Sequence, residues 1–440
     1  MLPGRSQSAW HLSALRAGFR MNSPRPALKP LGDALSDLLA FAQPLGQAET
    51  VSTFDADGRV LSQDVVSALQ VPPQDNSSMD GYAVRCDDVP GVGAVLKVTQ
   101  RIAAGASGTV LRAGEAARIF TGAPIPDGAD AVVMQEDCEP VVAAGAAAAT
   151  APDFGTVRIN QVPATGQWIR RAGEDVTRGS VVLARGTRLT ATGAGMAACV
   201  GLHQVSVATR PRVALFSTGD ELVMPGDIAP ADMRPGAIYN SNRFFLRALL
   251  LRLGCKVTDM GVVPDRRDAT IAALRTASQA HDLVLTSGGV SVGEEDHIKP
   301  AVAELGSLDL WQIAIKPGKP FAYGRMGAAH FIGLPGNPVS SFVTFLLLVR
   351  PFVLKLQGVA DVAPMASVQR ADFAWRRPDR RQEFLRARRN ASGGLDLFPN
   401  QSSGVLTSTV WGDGLVDNPP LCAIAPGDTV RFFAFSDLMY

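Results

Sequence analysis

Apolar residues at positions 31, 35, 38, 39 and 42 recur at helical spacing and Asp33 stands near the start, so residues 31–45 are expected to form an amphipathic helix. Residues 58–69 read as a strand-like stretch, and the Pro72-Pro73 pair marks a boundary. Short apolar stretches at 94–99, 115–120 and 131–135, divided by glycines, predict a small β domain. The run 141–150 is almost entirely Ala, Val and Gly and reads as a surface loop, with a short helix as the alternative. Small residues over 190–201 predict a second helix, expected to pack beside the first.

From residue 211 the rhythm changes. Strand patterns at 212–216, 256–263, 283–286, 311–315 and 330–333 alternate with helical patterns at 240–253, 268–280, 296–305 and 339–356. Such alternation predicts a mostly parallel sheet with helices on both faces and ligands at the carboxyl ends of its strands. Beyond residue 358, strand-like runs at 373, 384–387, 395–398 and 430–435 lack long helices and predict a small β-barrel or sandwich. The fold class is therefore α/β and multidomain. Residues 209–357 form its central α/β domain, 71–174 a small β-rich domain, 29–70 with 175–208 an elongated α-containing linker domain, and 358–440 a C-terminal β-barrel-like domain.

Composition narrows the function classes. Forty-two basic against 41 acidic residues leave a net charge of +1, which removes the electrostatic argument for a nucleic-acid or membrane-surface partner. The five cysteines are scattered without a CxxC pair, so neither a zinc site nor a disulfide framework is indicated and a reducing cytoplasm suits them. The apolar run 342–356 is broken by Arg350 and Pro351 and reads as a buried helix, so no membrane span is expected. Residues 1–28 read as a disordered or untranslated tail, with Met21 as a second candidate start and a transit peptide as the alternative.

The chemistry concentrates at the expected strand ends. In DLVLTSGGVSVGEED (282–296) a buried strand runs into Ser287-Gly288-Gly289-Val290-Ser291, where glycines let backbone N–H groups approach an anion; an ordinary Gly-rich turn is the alternative. Carboxylates close three strand ends, at 217–221, 264–265 and 294–296. In a parallel sheet they converge, and unpaired converging acids favour a hard cation such as Mg²⁺ over a merely solvated rim. Lys316-Pro317-Gly318-Lys319-Pro320 reads as a rigid cationic loop suited to an oxyanion or a phosphate, or else as a surface turn. GLPGNPVS (333–340) is a second rigid loop ending at a helix N-terminus.

With NSSMDGYAVR (76–85), RIFTGAPIPDGADAVV (118–133), IRRAGED (169–175) and STGDEL (217–222), these segments resemble the molybdopterin molybdenumtransferases. These are the bacterial MoeA proteins, related to the E domains of gephyrin and of plant Cnx1. The motifs stand in the family's order from about residue 31 to the C-terminus. The resemblance implies a molybdopterin-binding central domain, an elongated homodimer and a reaction that takes molybdopterin-AMP and molybdate, hydrolyses the adenylate with Mg²⁺ and leaves molybdenum on the dithiolene. By motif it implies catalytic roles for Asp80, Thr121, Asp175, Glu221, Asp265 and Asp296, with Asp80 and Thr121 supplied by the partner subunit and Glu221, Asp265 and Asp296 holding the metal. It implies binding roles for Ser287, Gly288, Gly289, Ser291, Lys316, Lys319, Ser340, Arg381 and Ser402, the last two on looser matches. No cysteine lies in a matched loop, so the thiolates that take molybdenum belong to the substrate. Transient contact with a molybdopterin adenylyltransferase or an acceptor molybdoenzyme is also implied. A non-catalytic E-domain-like scaffold and a molybdopterin adenylyltransferase are the rival readings.

Overall fold

Every residue of the strand Leu283–Ser287 is buried, as a central strand covered on both faces requires. In the computed structural model, which describes residues 28–141, 154–290 and 297–439, this strand pairs in parallel with Arg212–Thr218 and Ala329–Leu334. Arg212–Thr218 pairs in parallel with Lys256–Val263. The N-terminal tail, the alanine-rich stretch, Ser291 and Asp296 lie outside the described residues.

The sheet is completed differently from its expected continuation. Ala329–Leu334 pairs antiparallel with Pro320–Met326, which pairs antiparallel with Ser307–Gln312, so a six-stranded mixed sheet ends in an antiparallel meander. No crossover helix separates these three strands, and short connections force antiparallel pairing. Alternate residues serve opposite faces. Val213 and Leu215 join Leu246, Leu250 and Val339 on one side, while Ala214 and Phe216 join Leu274, Ile298 and Val302 on the other. The helix Pro338–Leu356 is long and apolar enough to cross a membrane, but it is almost wholly buried in the first of these cores.

The first helix, Leu31–Phe41, docks here and not against Ala191–Cys199. Its Ala34 and Leu38 enter the first core, and Phe41 stacks on Tyr323 with ring centroids 4.7 Å apart. Ala191–Cys199 buries only Ala197, in a separate cluster with Leu61, Val200 and Val205. A leucine-bearing face needs a large apolar partner, and a helix of Ala and Gly does not supply one. In the stretch 58–69 only Val65–Val66 forms a strand, with single bridges at Val60 and Leu61.

The small β unit orders its strands as Ala131–Met134, Gly81–Val84, Glu115–Ile119, Ala94–Ile102, Thr156–Ile159 and Cys138–Val141, with apolar clusters on both faces. The C-terminal sheet contains Gln382–Arg389, Gly414–Asn418, Thr429–Ala434 and Ser367–Arg370, and Leu395–Leu397 pairs with the first of these. Its far edge is Ile315–Lys316, which departs from the central unit to run parallel to Gln382 and Glu383. Phe373, expected in a strand, is instead a core residue of an irregular segment.

Candidate functional site

The parallel strands ending at Thr218, Val263, Ser287 and Leu334 bring their following loops to one edge, where a cleft of about 800 Å³ opens. Glu221, Asp265, Ser287, Gly288, Gly289 and Ser340 all line it. Close packing dictates the glycines. At Gly288 (φ 96°) a Cβ would stand 2.7 Å from the Thr218 carbonyl oxygen, and at Gly289 (φ 69°) 2.5 Å from Ile298 Cγ1. The backbone is thus pressed against the neighbouring strand end while its other side faces the cleft.

A buried amide ties the walls together. Asn242 Nδ2 donates to Ser287 Oγ at 2.8 Å and to the Gly336 carbonyl at 2.7 Å, joining the Ser-Gly-Gly loop to the Gly-Asn-Pro loop. Asn240 caps the same helix, its Oδ1 accepting from the Arg243 N–H. Its Nδ2 and the Ser217 hydroxyl have no partner although both atoms are buried in cleft-lining residues. Unpaired buried groups at a cleft wall are costly unless a ligand meets them.

At the acidic rim Asp220 and Asp265 each accept the other's backbone N–H at 3.3 Å. Burial raises the Asp265 carboxyl above its ordinary value, and the charges of Asp220 and Glu221 push the same way. Among the described residues no group of three or more His, Cys, Asp or Glu side chains is placed to hold a metal ion. Asp296, expected as the third ligand, is outside those residues.

Lys316 and Arg381 meet where the central unit joins the C-terminal sheet, and neither lines the cleft. Lys316 Nζ donates to Glu383 Oε1 at 3.1 Å and lies 3.5 Å from Asp379 Oδ2. The expected free cationic loop is therefore half neutralised. Lys319 precedes cleft-lining Pro320, and its ammonium makes no ion pair or side-chain hydrogen bond among the described residues. Ser402 is exposed on a loop whose Gly404 and Leu406 line the cleft and whose Ser403 carbonyl accepts from the Val339 N–H at 3.0 Å. Beneath that loop the fully buried Arg386 donates to Ser408 Oγ and to the Phe384 and Ser402 carbonyls, and burial lowers its pKa to about 10.

The third cluster lies in the small β unit. Because Gly81 pairs with Ile119, the residues just beyond, Asp80 and Thr121, come together. Asp80 Oδ1 accepts from the Thr121 N–H at 2.7 Å and its hydroxyl at 2.8 Å, which holds the carboxyl below its usual range. Neither residue lines the cleft of its own chain. Asp175 is exposed, and its N–H donates to the Val71 carbonyl at 3.0 Å.

Sequence reasoning overlooked Asn242, Asp379, Glu383 and Arg386. Only Asn242 carries a local signal: it shares a helix face with Leu246 and Leu249, and an amide on a core-facing stripe demands a polar partner. None of the five cysteines lines the cleft.

Three family models match in succession: the MoeA N-terminal region (domains I and II) over residues 29–201, a probable molybdopterin binding domain over 214–355, and the MoeA C-terminal region (domain IV) over 369–435. The chain is 42% identical over 312 residues to a molybdopterin molybdenumtransferase of Haemophilus influenzae, covering 71% of this chain and 74% of that one. It is 36% identical over 388 residues to the enzyme of that name from Synechococcus elongatus, covering 86% and 92%. A crystal structure of the molybdopterin biosynthesis MoeA protein from Pyrococcus horikoshii superposes with a TM-score of 0.79 at 27% identity, covering 93% of this chain and 100% of that one.

Proposed function

The chain belongs to the MoeA family of molybdopterin molybdenumtransferases, and on that footing we propose that it releases AMP from molybdopterin-AMP while molybdate is placed on the substrate's dithiolene sulfurs. It is a transferase of molybdenum cofactor biosynthesis. The observation that carries the finer reading is the cleft itself, with an anion-accepting loop on one wall and the carboxylates Glu221 and Asp265 on its rim.

The division of labour follows from charge. The Ser287-Gly288-Gly289 loop receives the phosphates through the Gly289 N–H, the Gly288 N–H being held by the Leu334 carbonyl at 3.0 Å, with Ser291 following in the same motif and Ser340 at the start of the buried helix opposite. Glu221 and Asp265 offer hard oxygen donors whose mutual repulsion a divalent cation relieves. With Asp296 they would hold Mg²⁺, which when bound draws charge from the phosphate oxygens. Lys316, Lys319, Arg381 and Ser402 lower the cost of bringing molybdate, a second anion, next to the first. Asp80 and Thr121, preset by their two hydrogen bonds and absent from the lining of their own cleft, serve the other subunit of a homodimer, with Asp175 as a further carboxylate. The enzyme works in the cytoplasm, in transient contact with the adenylyltransferase that supplies its substrate or the molybdoenzyme that accepts its product.

The test is a comparison of two assays on purified protein. Molybdate-dependent AMP release from molybdopterin-AMP is the expected result. Consumption of molybdopterin and ATP instead would make it an adenylyltransferase, and activity in neither assay a scaffold.

A further inference from the structure

Between Lys316 and Arg381 stands a carboxylate that the reaction does not call for. Asp379 Oδ1 accepts from Arg381 Nε at 2.9 Å and from the Arg381 N–H at 3.0 Å, while Oδ2 accepts from Arg381 Nη2 at 2.9 Å and lies 3.5 Å from Lys316 Nζ. Two oxygens set side by side on a guanidinium fork, with an ammonium beside them, form the arrangement in which proteins bind an oxyanion edge. Here the chain fills it with its own side chain.

The frame around this pair is fixed. Glu383 is fully buried, and Oε1 accepts from Lys316. Its Oε2 accepts from Trp375 Nε1 at 2.7 Å and from the Asp379 N–H at 3.1 Å. Glu383 therefore positions the Lys316 ammonium and anchors the backbone of Asp379. Asp379 differs from it. Its side chain keeps 20% of its exposure and lies on the irregular segment before the strand Gln382–Arg389, so it can swing to solvent without opening a core.

We propose that Asp379 is an internal placeholder for the oxyanion: in the free protein its carboxylate occupies the Arg381 and Lys316 donors that molybdate takes on binding. This rests on the placement of molybdate beside those cations. Affinity is then set by an exchange, in which the entering anion must displace a carboxylate of charge −1. A dianion gains from that exchange and a monovalent anion such as chloride does not, so the placeholder screens the site against the abundant monovalent anions. Arg381 holds the Asp379 carboxyl well below its usual range, so the placeholder stays charged at neutral pH.

The test uses calorimetric titration of the full-length protein with sodium molybdate, for wild type, Asp379→Asn and Arg381→Gln, at low and high chloride. With the placeholder neutral, the molybdate Kd of Asp379→Asn is expected to fall about five- to fiftyfold and to become sensitive to chloride. Arg381→Gln is expected to lose binding. If Arg381→Gln binds like wild type, the placement of molybdate is wrong; if it loses binding while folded Asp379→Asn binds no tighter than wild type, the placeholder alone is overturned. A second readout needs no variant. In a crystal structure of the wild-type protein with molybdate bound, the Arg381–Asp379 pair is expected to be broken, and an intact pair beside bound molybdate overturns the proposal.

Discussion

Asn242 Nδ2 sits 2.8 Å from Ser287 Oγ, with both side chains buried in the wall of the cleft. The same amide holds the Gly336 carbonyl, so one side chain fixes the spacing of both loops. Asn242→Ala should leave the Gly336 carbonyl without this donor and Ser287 Oγ with only its 3.4 Å bond to the Pro335 carbonyl, costing about 1–3 kcal/mol of stability. Loosened loops bind phosphate poorly, so KM for molybdopterin-AMP is expected to rise at least about tenfold while kcat falls less. Steady-state kinetics beside a urea titration separate the two effects. A lowered urea midpoint with unchanged KM would reduce Asn242 to a packing residue.

Thr121 presets the Asp80 carboxylate outside the lining of their own cleft. If they complete the partner's site, Asp80→Asn and Glu221→Gln homodimers are both inactive, whereas a mixed dimer holds one intact site. Mixing the two variants and allowing subunit exchange is expected to recover about a quarter of wild-type activity, the statistical yield of intact sites when the two subunits pair at random. The check is AMP release after exchange is verified by mass. No recovery would mean that each site is built within one chain.

Lys319 stands next to cleft-lining Pro320, and its ammonium makes no ion pair among the described residues. Lys319→Gln keeps length and hydrogen bonding but removes charge, so the molybdate concentration for half-maximal activity should rise roughly five- to a hundredfold. Binding of molybdopterin-AMP should weaken less. The reverse pattern in paired titrations would assign the lysine to the substrate's phosphate.

His330 provides a pH signature unrelated to the reaction. It is buried against the Phe352 ring, its Nδ1 lies 2.9 Å from the Tyr323 hydroxyl, and burial lowers its pKa to about 4, with Arg325 adding to the shift and Asp282 opposing it. Since the unfolded chain binds this proton near pH 6.5 and the folded chain does not, the stabilisation is complete above that value and is lost as pH falls toward 4. The loss should reach about 2–3 kcal/mol. Urea midpoints measured from pH 7 to 4 should therefore decline less steeply in His330→Gln than in wild type. Parallel curves would show that His330 is protonated in the fold.

Much of the architecture could be read from apolar spacing, because a buried parallel strand such as Leu283–Ser287 is apolar over Leu283, Val284 and Leu285 before it reaches Thr286 and Ser287 at the cleft, and its flanking helices have to show a stripe. Pro320–Met326 escaped because the KPGKP segment before it reads as a loop and Gly324 interrupts its pattern. The partner of the first helix escaped for another reason: a hydrophobic face states that burial is needed, not against what. In the site, loops at parallel strand ends were legible, and so Glu221, Asp265 and Ser287 fell together as expected from topology. The Lys316–Glu383 ion pair was not, since it joins neighbouring strands 67 residues apart in sequence and depends on a two-residue strand changing units. A basic residue in a sequence announces its charge but not the acid that waits for it.

The docking of the first helix into the central core has a consequence in time. Phe41 stacks on Tyr323, and Ala34 and Leu38 share a core with Leu348 and Phe352, about 280 to 320 residues further along the chain. At about 5–20 residues per second, a ribosome needs roughly 15 to 60 seconds to deliver those partners. Throughout that interval the leucines of Leu31–Phe41 have no native surface to cover them, while the small β unit can close on its own strands. The first helix of the described residues is thus among the last to find its place, and the central domain cannot finish folding until its synthesis is nearly over.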